Sequence, residues 1–243
     1  GVLGIDAEAS SFFAPAVESI AAEHSRSGVV LVGHSIGAWC VAQLLMQEGV
    51  ANSHVALAVL ACPYLEVDMT GIQRVYSAIL AQTWILGLVV WLVSRGLTLL
   101  PAWLQRMIAP SVAGTTDALM VDVVLQTFGK SPHHLEGMAY MFRSELKCLA
   151  PDPANTSGIA ALEPLFASSS RPKLLFLYAT AGDHWGPPSH AARVKQLWDR
   201  VGKPDLPPVQ VRDIGQTPHN ILSPTTCGGV AKAIAADVAS RAQ

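Results

Sequence analysis

The chain is predicted to fold as an α/β protein, with a mainly parallel sheet, helices between its strands, and a helical, apolar insertion. Three observations predict this. Short, wholly apolar runs rich in aliphatic residues recur along the chain, as in strands buried on both faces of a parallel sheet. Helical periodicity separates these runs, so strand, helix and strand follow one another. From about Asp68 to Ala150 the strand pattern disappears and apolar helical segments dominate. At 243 residues there is enough chain for one sizeable core carrying an inserted subdomain.

The elements are expected in this order. From Ser10 to His24, Phe13, Val17, Ile20 and Ala21 recur at helical spacing. Gly28 to Val32 reads as a buried strand, and Gly37 to Glu48 as a helix closed by Gly49. His54 to Ala61 ("HVALAVLA") is a second buried strand, stopped by Pro63. The insertion follows, broken at Pro101, Pro110 and Pro132, and then a loop through "PDPANTSG". "PKLLFLYATAGD" (Pro172 to Asp183) returns to strand, with a helix from about Ser189 to Val201. "PVQVRDIG" (Pro208 to Gly215) is the next strand, and the last helix spans about Gly228 to Arg241. Three parts are expected: residues 1–63 and 159–243 forming the α/β core, and 64–158 the cap.

Composition narrows the partners. Sixteen Lys and Arg stand against 18 Asp and Glu, a net charge of −2, which leaves no basic footprint for nucleic acid. Only 14% of residues are charged and 51% are hydrophobic, as expected of a large buried sheet or a membrane contact. Cys40, Cys62, Cys148 and Cys227 show neither C-x-x-C pairing nor metal-ligand spacing, so reduced thiols, a cytosolic setting and no metal are expected. No signal-peptide pattern opens the chain, and the helical pattern begins almost at once. N-terminal truncation is therefore expected.

The stretch "VVLVGHSIGAWCVAQLL" (Val29 to Leu45) carries the chemistry. A strand ends in G-x-S-x-G and a helix follows at once, the pattern of a nucleophile elbow. Such a turn holds a serine on strained backbone so that its Oγ stands above the sheet edge. Gly33 and Gly37 would remove Cβ atoms where strand and helix press together. Ser35 is the expected nucleophile, and the N–H of Ile36, at the helix start, the expected oxyanion donor. A serine hydroxyl needs a base and the base an orienting carboxylate, in the chain order Ser, acid, His on such a fold. Asp183 ends a strand and His219 lies in the loop "GQTPHNI" after the next one, so these are the expected acid and base. Asp213 competes with Asp183 but lies within a strand. His24, His34, His54, His133, His134 and His184 fit the base position less well.

"LVGHSIGAW", "ACPYL", "YATAGDHWGP" and "GQTPHNIL", with the apolar helical insertion, resemble the lipid droplet-associated hydrolase family of α/β-hydrolases. The resemblance runs from about Val29 onward. It implies an α/β-hydrolase core with a cap, and a serine esterase acting on lipid esters, sterol esters among them. It also implies Ser35 as nucleophile, Asp183 as acid and His219 as base, and a location on the cytosolic face of lipid droplets or the endoplasmic reticulum. Such hydrolases carry strands before the elbow and a second oxyanion donor, both expected to be missing where 34 residues precede Ser35.

The segment from Val75 to Val93 has no charge and is bracketed by Arg74 and Arg95. It is about long enough to span a bilayer, but Gln82 and Thr83 near its middle disfavour that. An in-plane or hairpin insertion, or an apolar helix closing over the active site, remain the two readings. Trp84, Trp91 and Trp103 suit a membrane–water boundary and are the expected lipid contacts. Three functions follow: an ester hydrolase without cofactor, taking a hydrophobic ester at a lipid droplet or membrane surface; a lipid-droplet-binding protein with a weak or inactive site; or a thioesterase or acyltransferase on the same fold.

Overall fold

The computed structural model describes residues 13–23, 28–47, 54–67, 99–113, 118–128, 132–150, 158–180, 183, 185–215, 219 and 227–239, together with positions 74–75, 78, 87–88, 91–92 and 95–96. In chain order its elements are α1 (Ala14–Glu23), β1 (Val29–His34), α2 (Ile36–Met46), β2 (Val55–Ala61), α3 (Ala102–Ala113), α4 (Ala118–Phe128), α5 (Pro132–Cys148), a 3-10 turn (Ile159–Leu162), α6 (Glu163–Ala167), β3 (Lys173–Tyr178), α7 (Pro188–Val201), β4 (Val209–Asp213) and α8 (Cys227–Ala239). The chain forms two compact units. One comprises Gly1–Val67, Cys148–Ile221 and Gly229–Gln243; the other comprises Asp68–Lys147 and Leu222–Gly228.

The first unit is built on a sheet ordered β1-β2-β3-β4, with every neighbouring pair parallel. Val59 sits in register with Val32 on one side and Leu175 on the other. Among the described residues β2 and β3 are the inner strands, and both are buried almost throughout. That accounts for their unbroken apolar runs: a strand covered on both faces has no solvent side to alternate toward. Leu57, Val59 and Ala61 of β2 share one face with Leu175 and Leu177 of β3, packed by Val230, Ala233 and Ile234 of α8. Phe176 faces the other way. There Phe166 of α6 meets it edge-on at 6.0 Å, and Trp198 of α7 meets Phe166 at 6.2 Å. Each such side chain stabilises the unit by about 1.5–3 kcal/mol on burial. Asp237 of α8 is buried and accepts from Lys173 Nζ (2.7 Å) and Arg212 (3.3 Å), tying that helix to β3 and β4.

Several boundaries depart from the sequence reading. The third strand stops at Tyr178, short of Asp183, which the sequence reading places at its end. The 3-10 turn and α6 occupy a stretch where no helix was expected. Both are short, and Pro164 in the first turn of α6 occupies a position where a missing N–H costs nothing.

In the second unit α3 packs on α4. Pro110, expected to break a helix, lies inside α3. A proline removes one backbone bond and crowds the carbonyl four residues earlier; here the helix nonetheless runs past it to Ala113. Pro132 is the first residue given for α5, and residues 129–131 before it lie outside the described residues. Trp91 and Trp103 are 54% and 68% exposed, and Leu88, Leu92, Leu99 and Met107 are exposed as well. Trp84, and most of the segment from Val75 to Val93, lie outside the described residues. No helix among the described residues is long and apolar enough to cross a membrane.

Candidate active site

Ser35 stands between the last residue of β1 and the first of α2, with φ 56° and ψ −125°. This backbone is unusual for a residue with a side chain and costs on the order of 1–3 kcal/mol. The turn is held from three directions. The Ser35 N–H donates to Ala61 O (3.2 Å), and its carbonyl accepts from Ala38 N (3.0 Å) and Tyr64 N (3.1 Å). A Cβ on Gly33 would lie 2.5 Å from Gly37 O and 2.7 Å from Ala38 Cα, so strand and helix meet too closely for a side chain there. Gly37 differs from the expectation: a Cβ on it would meet nothing within 4 Å. Ile36 opens α2, so its N–H is one of the amides that a helix start leaves without an intrahelical acceptor.

The parallel strands bring three distant side chains to one end of the sheet. His219 Nε2 lies 2.6 Å from Ser35 Oγ, and His219 Nδ1 lies 2.9 Å from Asp183 Oδ1. With its proton on Nδ1, His219 donates to the carboxylate and accepts from the hydroxyl. Asp183 Oδ1 also accepts from the N–H groups of Trp185 (2.8 Å) and Gly186 (2.9 Å). The Asp183 side chain is fully buried, which by itself favours the neutral acid. Its bond to His219 and the two backbone N–H bonds outweigh that burial, and the carboxyl is held below the usual aspartate range. Asp183 Oδ2 is buried without a hydrogen-bond partner among the described residues.

The carboxylate is felt around it. Burial pushes the Cys62 thiol up to about 12, and the neighbouring Asp183 charge adds to the shift. Burial, and then Asp183, also raises the Tyr178 phenol. Cys62 holds a positive φ of 43° at the end of β2. Gly186 is close-packed here: a Cβ would sit 3.0 Å from Pro63 O and 3.2 Å from Asp183 Oδ2. Trp185 lies 6.4 Å from the His219 ring and meets Tyr64 edge-on at 5.5 Å.

Among the described residues, Asp213, His34 and His54 are otherwise engaged or elsewhere. Asp213, at the end of β4, accepts from Thr180 Oγ1 at 2.5 Å and from Gly215 N at 2.7 Å. His54 precedes β2, at the opposite end of the parallel sheet from Ser35. His24 and His184 lie outside the described residues, and the same holds for the side chains of His133 and His134. His34 donates from Nε2 to the backbone carbonyl of His219 at 2.7 Å. Sequence reasoning passed over that contact, because nothing local announces a partner 185 residues away. Trp91 and Trp103 belong to the second unit. Among the described residues no cluster of His, Cys, Asp and Glu could hold a metal ion.

A model of the family described as lipid-droplet associated hydrolase matches residues 7–220. No curated relative matches the chain by sequence. Among solved structures, the chain is similar to a haloalkane dehalogenase from Agrobacterium tumefaciens, at 17% identity and a TM-score of 0.58, over 91% of this chain and 70% of that one. It is also similar to a thermophilic esterase from Thermogutta terrifontis, at 15% identity and a TM-score of 0.56, over 99% and 74%. An esterase from Rhodococcus matches at 15% identity and a TM-score of 0.50, over 96% and 73%. At these identities the likeness is one of fold, that of the α/β-hydrolases.

Proposed function

The chain belongs to the lipid-droplet associated hydrolase family, and on that premise we propose that it is a serine hydrolase of carboxylic esters, acting on lipid esters at a lipid surface. The observation that carries this reading is the continuous bond path from Ser35 Oγ through His219 to Asp183 Oδ1. Ser35 Oγ attacks the ester carbonyl carbon while its proton passes to His219 Nε2. The Ile36 N–H, at a helix start, receives the oxyanion; one such donor is worth about 10²–10³ in rate. Collapse of the intermediate expels the alcohol, which takes the proton from His219, and leaves an acyl-serine. Water then attacks the acyl carbon, gives its proton to His219 and releases the acid. Asp183 keeps the imidazole in the required tautomer and stabilises its charge between proton transfers. No metal or organic cofactor enters.

Sterol esters are among the proposed substrates, and the proposed location is the cytosolic face of lipid droplets or the endoplasmic reticulum. The exposed Trp91 and Trp103 support a lipid contact through the second unit, since indole rings favour the apolar–aqueous boundary. The same exposed surface supports a second reading, a lipid-droplet-binding protein whose site is weak or inactive. A thioesterase or acyltransferase would use the same serine with another acyl donor or acceptor. A fluorophosphonate probe tests the first reading. Covalent labelling is expected at Ser35 and should vanish in Ser35→Ala; labelling that survives the substitution removes it. Deleting residues 75–93 separates the second, which predicts lost droplet localisation and no phenotype for Ser35→Ala.

A further inference from the structure

We infer that His34 is a positioning residue: through its Nε2–H it holds the backbone of His219 in register with the neighbouring Ser35. The inference rests on the proposed roles of Ser35 and His219 and adds a third attachment between them. His34 is the last residue of β1 and is bonded covalently to Ser35. Its Nε2 donates to His219 O at 2.7 Å, and the two rings stand 5.2 Å apart at 38°. The bonds to Ser35 Oγ and Asp183 Oδ1 fix the two ends of the His219 ring. Neither bond fixes the backbone from which that ring projects. The His34 bond does, and its donor rides on the same strained turn as the nucleophile. A displacement of the turn therefore moves hydroxyl and anchor together.

His34 does not act as the base, since its Nε2 is spent on a carbonyl and the Ser35 hydroxyl is taken by His219. Burial lowers its pKa, with the His219 charge acting in the same direction and its own bond to the His219 carbonyl and the Asp183 charge opposing. To make the bond the ring carries a proton on Nε2. Reach is what matters. A glutamine amide places its nitrogen as many bonds from Cα as Nε2 of histidine; an asparagine amide stops one carbon short.

The test compares full-length His34→Gln and His34→Asn with the wild type and with Ser35→Ala, using a soluble p-nitrophenyl ester and the rate of fluorophosphonate labelling. We expect His34→Gln to keep kcat within about three-fold and His34→Asn to lose about ten- to a hundred-fold, the scale of a misplaced catalytic group. KM should stay within about two-fold in both, because the bond positions the base without contacting substrate. If the Gln and Asn variants behave alike, or if the change falls on KM, the positioning role is overturned while the serine mechanism stands. A wild type no more reactive than Ser35→Ala overturns the serine mechanism instead, and this inference with it.

Discussion

Asp183 is a buried carboxylate that keeps its charge, and this has two measurable consequences. Its folded pKa lies below the usual value, so the unfolded chain binds a proton more readily. The stability it supplies is complete above the ordinary aspartate pKa of about 3.9 and is lost as pH falls through the lower folded value. The thermal midpoint of the wild type should therefore fall below about pH 4. Asp183→Asn, with no carboxylate to protonate, should lose less over the same window, as a calorimetric pH series will show. The same substitution should lower kcat on an ester by about 10⁴-fold, because an amide no longer enforces the Nδ1–H tautomer of His219. The glycines flanking Ser35 separate just as clearly. Gly33→Ala drives a methyl group into backbone atoms of α2 and should cost about 3 kcal/mol or more in urea unfolding. Gly37→Ala meets open space in a helix and should stabilise by about 0.5–1 kcal/mol.

At the scale of elements, the junction before β3 depends on one side chain. Arg171 is 4% exposed, donates to the carbonyls of Phe166 (3.3 Å), Pro172 (3.2 Å) and Pro207, and stacks 4.7 Å above the Trp198 ring. It joins the end of α6, the start of β3, the approach to β4 and the face of α7. Arg171→Met fills a similar volume but leaves the buried carbonyls of Phe166 and Pro172 without this donor, and should lower unfolding free energy by about 2 kcal/mol or more, measured with urea. Strand β1 presents a different problem. It ends the sheet among the described residues, and Val30 and Val32 are exposed. An apolar end strand invites pairing between molecules. Val32→Lys should reduce concentration-dependent light scattering with little change in unfolding midpoint.

For the molecule as a whole, the proposed function puts ester cleavage and lipid contact on different units, so under that proposal they should separate on mutation. Replacing Trp91 and Trp103 together by serine removes two exposed indoles. Binding to phospholipid-coated triacylglycerol droplets in a flotation assay should fall by about ten-fold or more, at roughly 1 kcal/mol or more for each ring withdrawn from the interface. Hydrolysis of a soluble short-chain ester should stay near the wild-type rate. Equal losses in both assays would argue against the division of labour.

What sequence alone determined is whatever depends on near neighbours. The buried strands announce themselves as aliphatic runs, and the elbow is legible because strand, G-x-S-x-G and helix are contiguous. Asp183 and His219 could be proposed as partners of Ser35 because loops after parallel strands all empty at one end of a sheet. Local pattern failed where the determining contact was distant or the element short, as at Pro110, at α6 and at Gly37. That Ser35, His219 and Asp183 lie within hydrogen-bond distance was decided only by tertiary structure, which closes gaps of 184 and 36 residues. The His34 contact belongs to that second class too. A hydrogen bond needs angstrom-scale placement of both partners, and only the packed sheet supplies it.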